Sequence, residues 1–398
     1  MTGPSPPDSR ALSIALLTYS TRPRGGVVHT LALAEALVRA GQEVTVWSLA
    51  RGGDEAFFRP VDPRVRIRLV PVEDIPGESL GPRVRRSIDA LAAAFRGTEH
   101  DVVHAQDCIS ANAVTDCIRT VHHLDHFTTP ELVACHETAI LRPRAHVCVS
   151  QAVAAELAGD WGITATVIPN GVEAERFARA AAPGPAAVAA RQVWRDRLGR
   201  YVLTVGGIEP RKGSIELLEA MALLRPRHPD VQLVIAGGET LFDYRDYRTA
   251  WEQRAADLRL EPVVLGPVRH DDLPALVAAA AVFAFPSTRE GFGLAAMEAL
   301  AAGVPLVTSD LPVFRAVFAG VATLARSPAE FAAALAAAIT DPDPAQRAAG
   351  RRLACAHTWD AAAAAHLQLY RDLVVRGLIS RCVIDETSSV LGPAGPSR

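Results

Sequence analysis

Two glutamates frame a glycine-rich turn late in the chain: Glu290, then Gly291-Phe292-Gly293-Leu294, then Glu298. The run Phe285 to Leu300 reads as strand end, glycine loop and helix. That order places the backbone N–H groups of Phe292, Gly293 and Leu294 at a helix start, where they can meet a phosphate. Carboxylates beside phosphates are costly, whereas beside polyol hydroxyls they are good acceptors. Glu290 and Glu298 are therefore expected on hydroxyl groups, with phosphate charge carried elsewhere. Gly206-Gly207-Ile208-Glu209-Pro210-Arg211-Lys212-Gly213 supplies the cations: it follows a strand, opens a helix and sets Arg211 and Lys212 at that helix's N-terminus, an arrangement suited to a diphosphate gaining charge as it leaves. Lys212 is the single lysine in a chain whose other basic residues are all arginine. A lysine kept against that bias points to a compact point charge that the planar arginine fork cannot replace.

Arg24-Gly25-Gly26 lies between the first strand and its helix, where glycines either admit a phosphate or simply make a turn. It lacks the spacing of a dinucleotide fingerprint, and Trp47-Ser48 stands where an acidic ribose ligand would be, which disfavours a dehydrogenase. His122 and His123 follow a short strand; neighbouring strand residues face opposite sides, so one of them can look into a cleft, and His122 is taken as that one. His122, His123, Asp125, His126, Cys135 and His136 are zinc-type side chains, but their spacing fits no standard zinc pattern, so no metal site is expected.

Strand-like apolar runs alternate with helical stretches throughout, the mark of parallel sheets with crossover helices. A first series runs through Ser13–Thr18, Val44–Trp47, Val65–Val70, Val102–His104, Thr120–His122, His146–Val149 and Thr166–Ile168. A second opens at Tyr201–Val205 and continues at Val231–Ala236, Val263–Leu265, Val282–Phe285 and Pro305–Thr308. Two Rossmann-like domains, 11–178 and 200–358, are therefore expected, each with its own sheet. The Ala/Pro/Gly stretch Ala178 to Val188 marks the break, and 179–199 is taken as the linker region. A helix over 359–378 is expected to return to the first domain, ahead of a disordered tail at 385–398. Turn signals at the carboxyl ends of the second-series strands are where such sheets bind ligands.

The 398 residues suffice for two domains, and 49% hydrophobic content gives each a core. A net charge of -3 with mixed signs gives no electrostatic case for nucleic acid. Six scattered cysteines read as thiols of a reducing cytosol. No signal peptide and no apolar stretch of transmembrane length are seen, so a cytoplasmic enzyme is expected, with peripheral membrane contact left open.

The Glu290 to Glu298 segment resembles the signature of glycosyltransferase family 4. The likeness extends to Gly25-Gly26, Val149-Ser150, Ile168-Pro169-Asn170-Gly171-Val172, Val205-Gly206-Gly207 with Arg211-Lys212, and Ala302-Gly303-Val304-Pro305, in the family's order. It implies a GT-B fold and retaining, metal-independent transfer of a hexose-type sugar from a nucleoside-diphosphate sugar, a UDP- or GDP-sugar, with no cofactor. By that resemblance Arg211 and Lys212 hold the diphosphate with Gly206 and Gly207 beneath it. Glu290 contacts the moving sugar, Glu298 the ribose, Gly291 to Leu294 give backbone contacts, and His122 is the histidine near the sugar. Leu265 to Arg269, with Val268, is where such folds meet the base, and nothing there selects uracil, guanine or adenine. Many relatives carry an acidic residue near position 316, where this chain has Ala316. A soluble small acceptor near Gly25, Gly26 and His122 is preferred. A GT-B epimerase, a phosphorylase using Lys212 for pyridoxal phosphate, and a non-catalytic sugar-nucleotide binder are the alternatives.

Overall fold

The computed structural model describes residues 10–96, 99–124, 127, 129–237 and 244–378. Asp125, His126, Gly238 and the 385–398 tail lie outside the described residues. Within them the chain builds two all-parallel sheets. The first contains β1 (Ser13–Thr18), β2 (Glu43–Arg51), β3 (Arg66–Val72), β4 (Val102–Ala105), β5 (Ile118–Val121), β6 (Ala145–Cys148) and β7 (Thr166–Val167), in the order β3-β2-β1-β4-β5-β6-β7. The second contains β8 (Arg200–Val205), β9 (Val231–Ala236), β10 (Val263–Gly266), β11 (Val282–Phe285), β12 (Leu306–Ser309) and β13 (Thr323–Ala325), ordered β10-β9-β8-β11-β12-β13.

Helices cover both faces of each sheet, which is why the central strands read as unbroken apolar runs instead of alternating. Ile14, Ala15, Leu16 and Leu17 are all fully buried, as are Val282, Phe283 and Ala284. In both sheets the strand order reverses beside the first strand, at β1/β4 and at β8/β11, and crevices for ligands open at the carboxyl ends of strands at such a reversal. Two Rossmann-like domains across a cleft are thus the observed fold, as the alternation of runs predicts.

The last helix, Trp359–Val375, packs on the first helix, Gly25–Arg39, of the opposite domain. Trp359, Ala363, Leu367 and Tyr370 enter the core built around β1. Gly171 lies so close to the backbone of Trp359 that a Cβ there would sit 2.3 Å from its nitrogen, and Val172 N–H donates to His357 O at 2.8 Å. Tyr370 hydroxyl and His104 Nδ1 share a 2.7 Å hydrogen bond beneath β4. The chain therefore crosses between domains twice.

Two local expectations differ from the structure. The stretch read as linker is mostly helical: Ala174–Ala180 and Pro185–Leu198 are separated by a short turn. Pro185 starts its helix at a position where the missing N–H costs nothing, and the alanines that follow favour helix. β13 escaped the sequence reading because it has three residues, two of them exposed.

Candidate functional site

The carboxyl ends of both sheets face a cleft of about 690 Å³. The predicted site residues line it, Gly291 excepted.

The second-domain wall is built from two glycine loops. After β8 the chain turns through Gly206, makes one 3-10 turn at Pro210–Lys212 and enters the helix Ser214–Leu224. Gly213 holds φ +61°, and a Cβ on it would lie 2.0 Å from Pro286 O, so only glycine brings these two loops together here. Thr288 N–H donates to Arg211 O at 2.8 Å and closes the same seam. After β11 the second loop reaches Gly293, at φ +96°, which precedes the helix Leu294–Ala301. No side chain caps that helix, so its first N–H groups and its positive dipole end open toward the cleft.

The charges of this wall form one cluster. Lys212 Nζ donates to Glu290 Oε2 at 2.6 Å, and Arg211 Nη1 reaches the same oxygen at 3.4 Å. Arg211 Nη2 also lies 3.1 Å from Glu209 Oε1, and Lys212 Nζ stands 5.2 Å from the centre of the Phe285 ring. Burial pushes the Glu290 carboxyl upward, but the adjacent Lys212 and Arg211 outweigh it and hold it at about 2. Burial also lowers Lys212, with Glu290 working against that shift. Lys212 and Arg211 are thus paired with Glu290 and Glu209, a pairing that the separate assignment of glutamate and cations did not foresee. The carboxyl of Glu298, in the helix beyond, accepts no hydrogen bond from the described residues. Burial raises it to about 8, opposed weakly by Arg176.

The first-domain wall presents Gly25, Gly26, His122 and His123. Both histidines line the cleft, contrary to the expectation that only His122 would. The opposite-face rule does not apply, because β5 ends at Val121 and the chain bends at His122. A Cβ on Gly26 would lie 3.6 Å from the His122 ring, so the start of the first helix and the histidine share one surface. His122 Nε2 is buried with no hydrogen-bond partner among the described residues. Burial, then His123 and Arg119, lower His122 to about 3, so it stays neutral at physiological pH. His29 packs behind it at 4.8 Å between ring centres and hydrogen-bonds Asn170 at 2.9 Å.

Gly291 corrects a further expectation. It does not line the cleft; its Cα abuts the opposite domain, where a Cβ would meet His122 O at 1.6 Å. Beside it Arg289 Nη1 donates to Leu124 O at 3.2 Å. These contacts hold Glu290 next to His122 across the domain boundary. Sequence reasoning missed Arg119, Gln106, Asp107, Glu173 and Arg176, which also line the cleft. The run Asp107-x-x-Ser110, a capping box just past β4, was the one readable signal among them. Among the described residues no three His, Cys, Asp or Glu side chains gather as a metal site, and no helix is long and apolar enough to cross a membrane.

Comparison with known proteins agrees with this architecture. Residues 23–176 match the model for Glycosyltransferase Family 4, and residues 192–352 match that for Glycosyl transferases group 1. A phosphatidyl-myo-inositol mannosyltransferase of Mycobacterium tuberculosis is 31% identical over 75% of this chain and 78% of its own length. Among solved structures, sucrose-phosphate synthase from Thermosynechococcus elongatus superposes with TM-score 0.74 at 22% identity, covering 92% of this chain and 100% of that one. HepE of Anabaena, in complex with UDP-glucose, gives TM-score 0.66 at 20% identity over 92% of this chain and 99% of its own. The chain belongs to glycosyltransferase family 4 and is a glycosyltransferase of the GT-B fold.

Proposed function

We propose that this enzyme transfers a sugar from a nucleoside-diphosphate sugar to a small hydroxylated acceptor, with retention of configuration and without a metal. The observation that carries the reading is the Lys212–Arg211–Glu290 cluster set against an uncapped helix start at Leu294. A diphosphate arriving there takes over Lys212 and Arg211, and the helix N-terminus adds positive potential on the same side. Glu290, released from Lys212, then accepts hydrogen bonds from the hydroxyls of the sugar. Glu298 accepts from the ribose, and the base lies toward Val268. The two cations beside the uncapped helix start support a nucleotide donor, as does the fold shared with a protein crystallised with UDP-glucose.

Neutral His122, lowered to about 3, is too weak a base to take a proton from an alcohol at neutral pH. Its role is to hydrogen-bond the sugar through its unspent Nε2. The proton balance then runs through the leaving group: the bond from the anomeric carbon to the phosphate oxygen breaks, the acceptor oxygen bonds that carbon on the same face, and the acceptor's proton passes to a departing phosphate oxygen. Lys212 and Arg211 stabilise the charge that develops there, and a well-placed donor of this kind is worth about 3 kcal/mol of barrier.

The test is a panel of UDP-, GDP- and ADP-sugars incubated with the protein and a chelator. Nucleoside diphosphate release is followed together with the anomeric configuration of the product by proton NMR. Release from one nucleotide series with retained configuration, lost in Lys212→Met, supports the proposal. Inverted product, or release that needs added divalent metal, contradicts it.

A further inference from the structure

One thiol of the first domain stands in a setting that the donor chemistry does not use. Cys108 opens the short helix Cys108–Ala113 just past β4, and Cys135 lies in the helix Pro130–Leu141 that packs on it. Both are half-buried and line the cleft, so a small solute entering the cleft reaches them. Arg119 Nη2 donates to Cys108 Sγ at 3.2 Å, and His136 Nδ1 lies 3.6 Å from the same sulfur. Arg119 also balances the charge of Asp107. A guanidinium and an imidazole in contact with one sulfur favour its thiolate, the form that attacks electrophiles.

The other thiols around this cation are held back. Cys117, Cys135 and Cys148 feel Arg119 as well, but burial outweighs it and pushes them up to about 11, 12 and 12. Cys108 adds to the rise at Cys135, so these two thiols are near enough to sense each other's charge. Asn112 ties them together: its Nδ2 donates to Cys108 O at 2.8 Å, to Cys135 O at 2.8 Å and to Cys135 Sγ at 3.2 Å. A thiol primed as a nucleophile with a second, protonated thiol beside it is the arrangement of an attacking and a resolving cysteine.

We infer that Cys108 is a peroxide-reactive thiol and that Cys135 resolves it into a disulfide across the seam between the two helices, a chemistry separate from sugar transfer. The sulfur of Cys108 attacks one oxygen of a hydroperoxide: the S–O bond forms, the O–O bond breaks, and the departing oxygen takes a proton and leaves as water or alcohol. Sulfur is oxidised by two electrons and the peroxide is reduced by two. The sulfur of Cys135 then attacks that of Cys108. The S–S bond forms, and hydroxide leaves with the Cys135 proton as water. Because both sulfurs line the cleft, the bond reshapes its first-domain side and leaves the cations of the donor wall untouched.

Cys355, exposed on the second domain, is the internal standard. The reduced full chain is pulsed at pH 7 with iodoacetamide, and each cysteine is read by peptide mass mapping. Exposure alone favours Cys355, whereas a stabilised thiolate makes Cys108 at least about threefold faster, even allowing for its lower intrinsic nucleophilicity. Arg119→Met brings Cys108 down to the rate of Cys355 or below. Should that variant fail to fold, His136→Phe keeps the ring packing on Phe127 and Trp161 and slows Cys108 in its place. Hydrogen peroxide yields a Cys108–Cys135 disulfide on non-reducing maps, and in Cys135→Ser the reaction stops at a sulfenic acid on Cys108 that dimedone traps. The inference is overturned if Cys108 falls short of that labelling rate, if the variant that folds leaves the rate unchanged, or if peroxide links Cys108 to another cysteine or to none. None of these readouts depends on turnover, so they stand apart from the test of the transferase reading.

Discussion

Glu298 ties nucleotide affinity to pH in a way that can be worked out beforehand. With no hydrogen-bond donor among the described residues, its carboxyl is held at about 8 by burial. A carboxyl accepts from two ribose hydroxyls far better ionised than protonated, since the proton takes one oxygen as a donor. Free protein at pH 7 therefore carries that form in only about one molecule in eleven, and at pH 9 in about ten in eleven. If the bound state requires the ionised form, UDP affinity rises about tenfold from pH 7 to pH 9, and binding at pH 7 releases about 0.9 proton. The sign is definite: tighter binding as pH rises, flattening above the carboxyl's own value. Calorimetry at pH 7, 8 and 9, in two buffers of different ionisation enthalpy, reads both quantities. Glu298→Gln removes the slope and the proton release. The reasoning fails if wild-type affinity is flat across this range with no proton release, or if the Gln variant keeps the slope.

Other consequences follow from particular contacts. Gly291→Ala places a methyl 1.6 Å from His122 O. The loop must retreat by about 1.7 Å to reach ordinary C···O contact, and displacement on the order of 1 Å near reacting groups costs about a hundredfold. Turnover of the active donor should drop by that order while UDP affinity stays within about threefold; equal losses in both would show that the contact supports the donor site itself. In the return helix, Trp359→Ala should cost about 3–5 kcal/mol by chemical denaturation, the range for truncating a buried aromatic. Asp360→Asn, which breaks the exposed 2.6 Å pair with Arg39, should cost less than about 1 kcal/mol. The reverse ranking would mean that surface charge, not packing, fastens the helix.

Much of the fold was legible because buried parallel strands announce themselves: Ile14 to Leu17 and Val282 to Phe285 are apolar without interruption, and Pro286 ends the second. The glycine loops were legible for the same local reason, and Gly213 and Gly293 do carry the positive φ that such turns need. What local pattern could not supply was the pairing of distant side chains. Lys212 and Glu290 stand far apart in sequence and meet at 2.6 Å, an ion pair that no local pattern announces. The Ala178 to Val188 stretch was read as a linker, although Pro185 opens a helix within it. The bend after Val121 turned a strand-alternation argument against His123.

The central claim, that the Lys212–Arg211 wall is a nucleoside-diphosphate site, is tested most directly by titration calorimetry of UDP, GDP and ADP against the purified protein, with and without chelator. The account predicts that one nucleotide binds regardless of chelator and that Lys212→Ala weakens it at least about tenfold, as loss of a charged hydrogen-bond donor requires. Binding that is unchanged in Lys212→Ala, or no binding of any of the three, would contradict it.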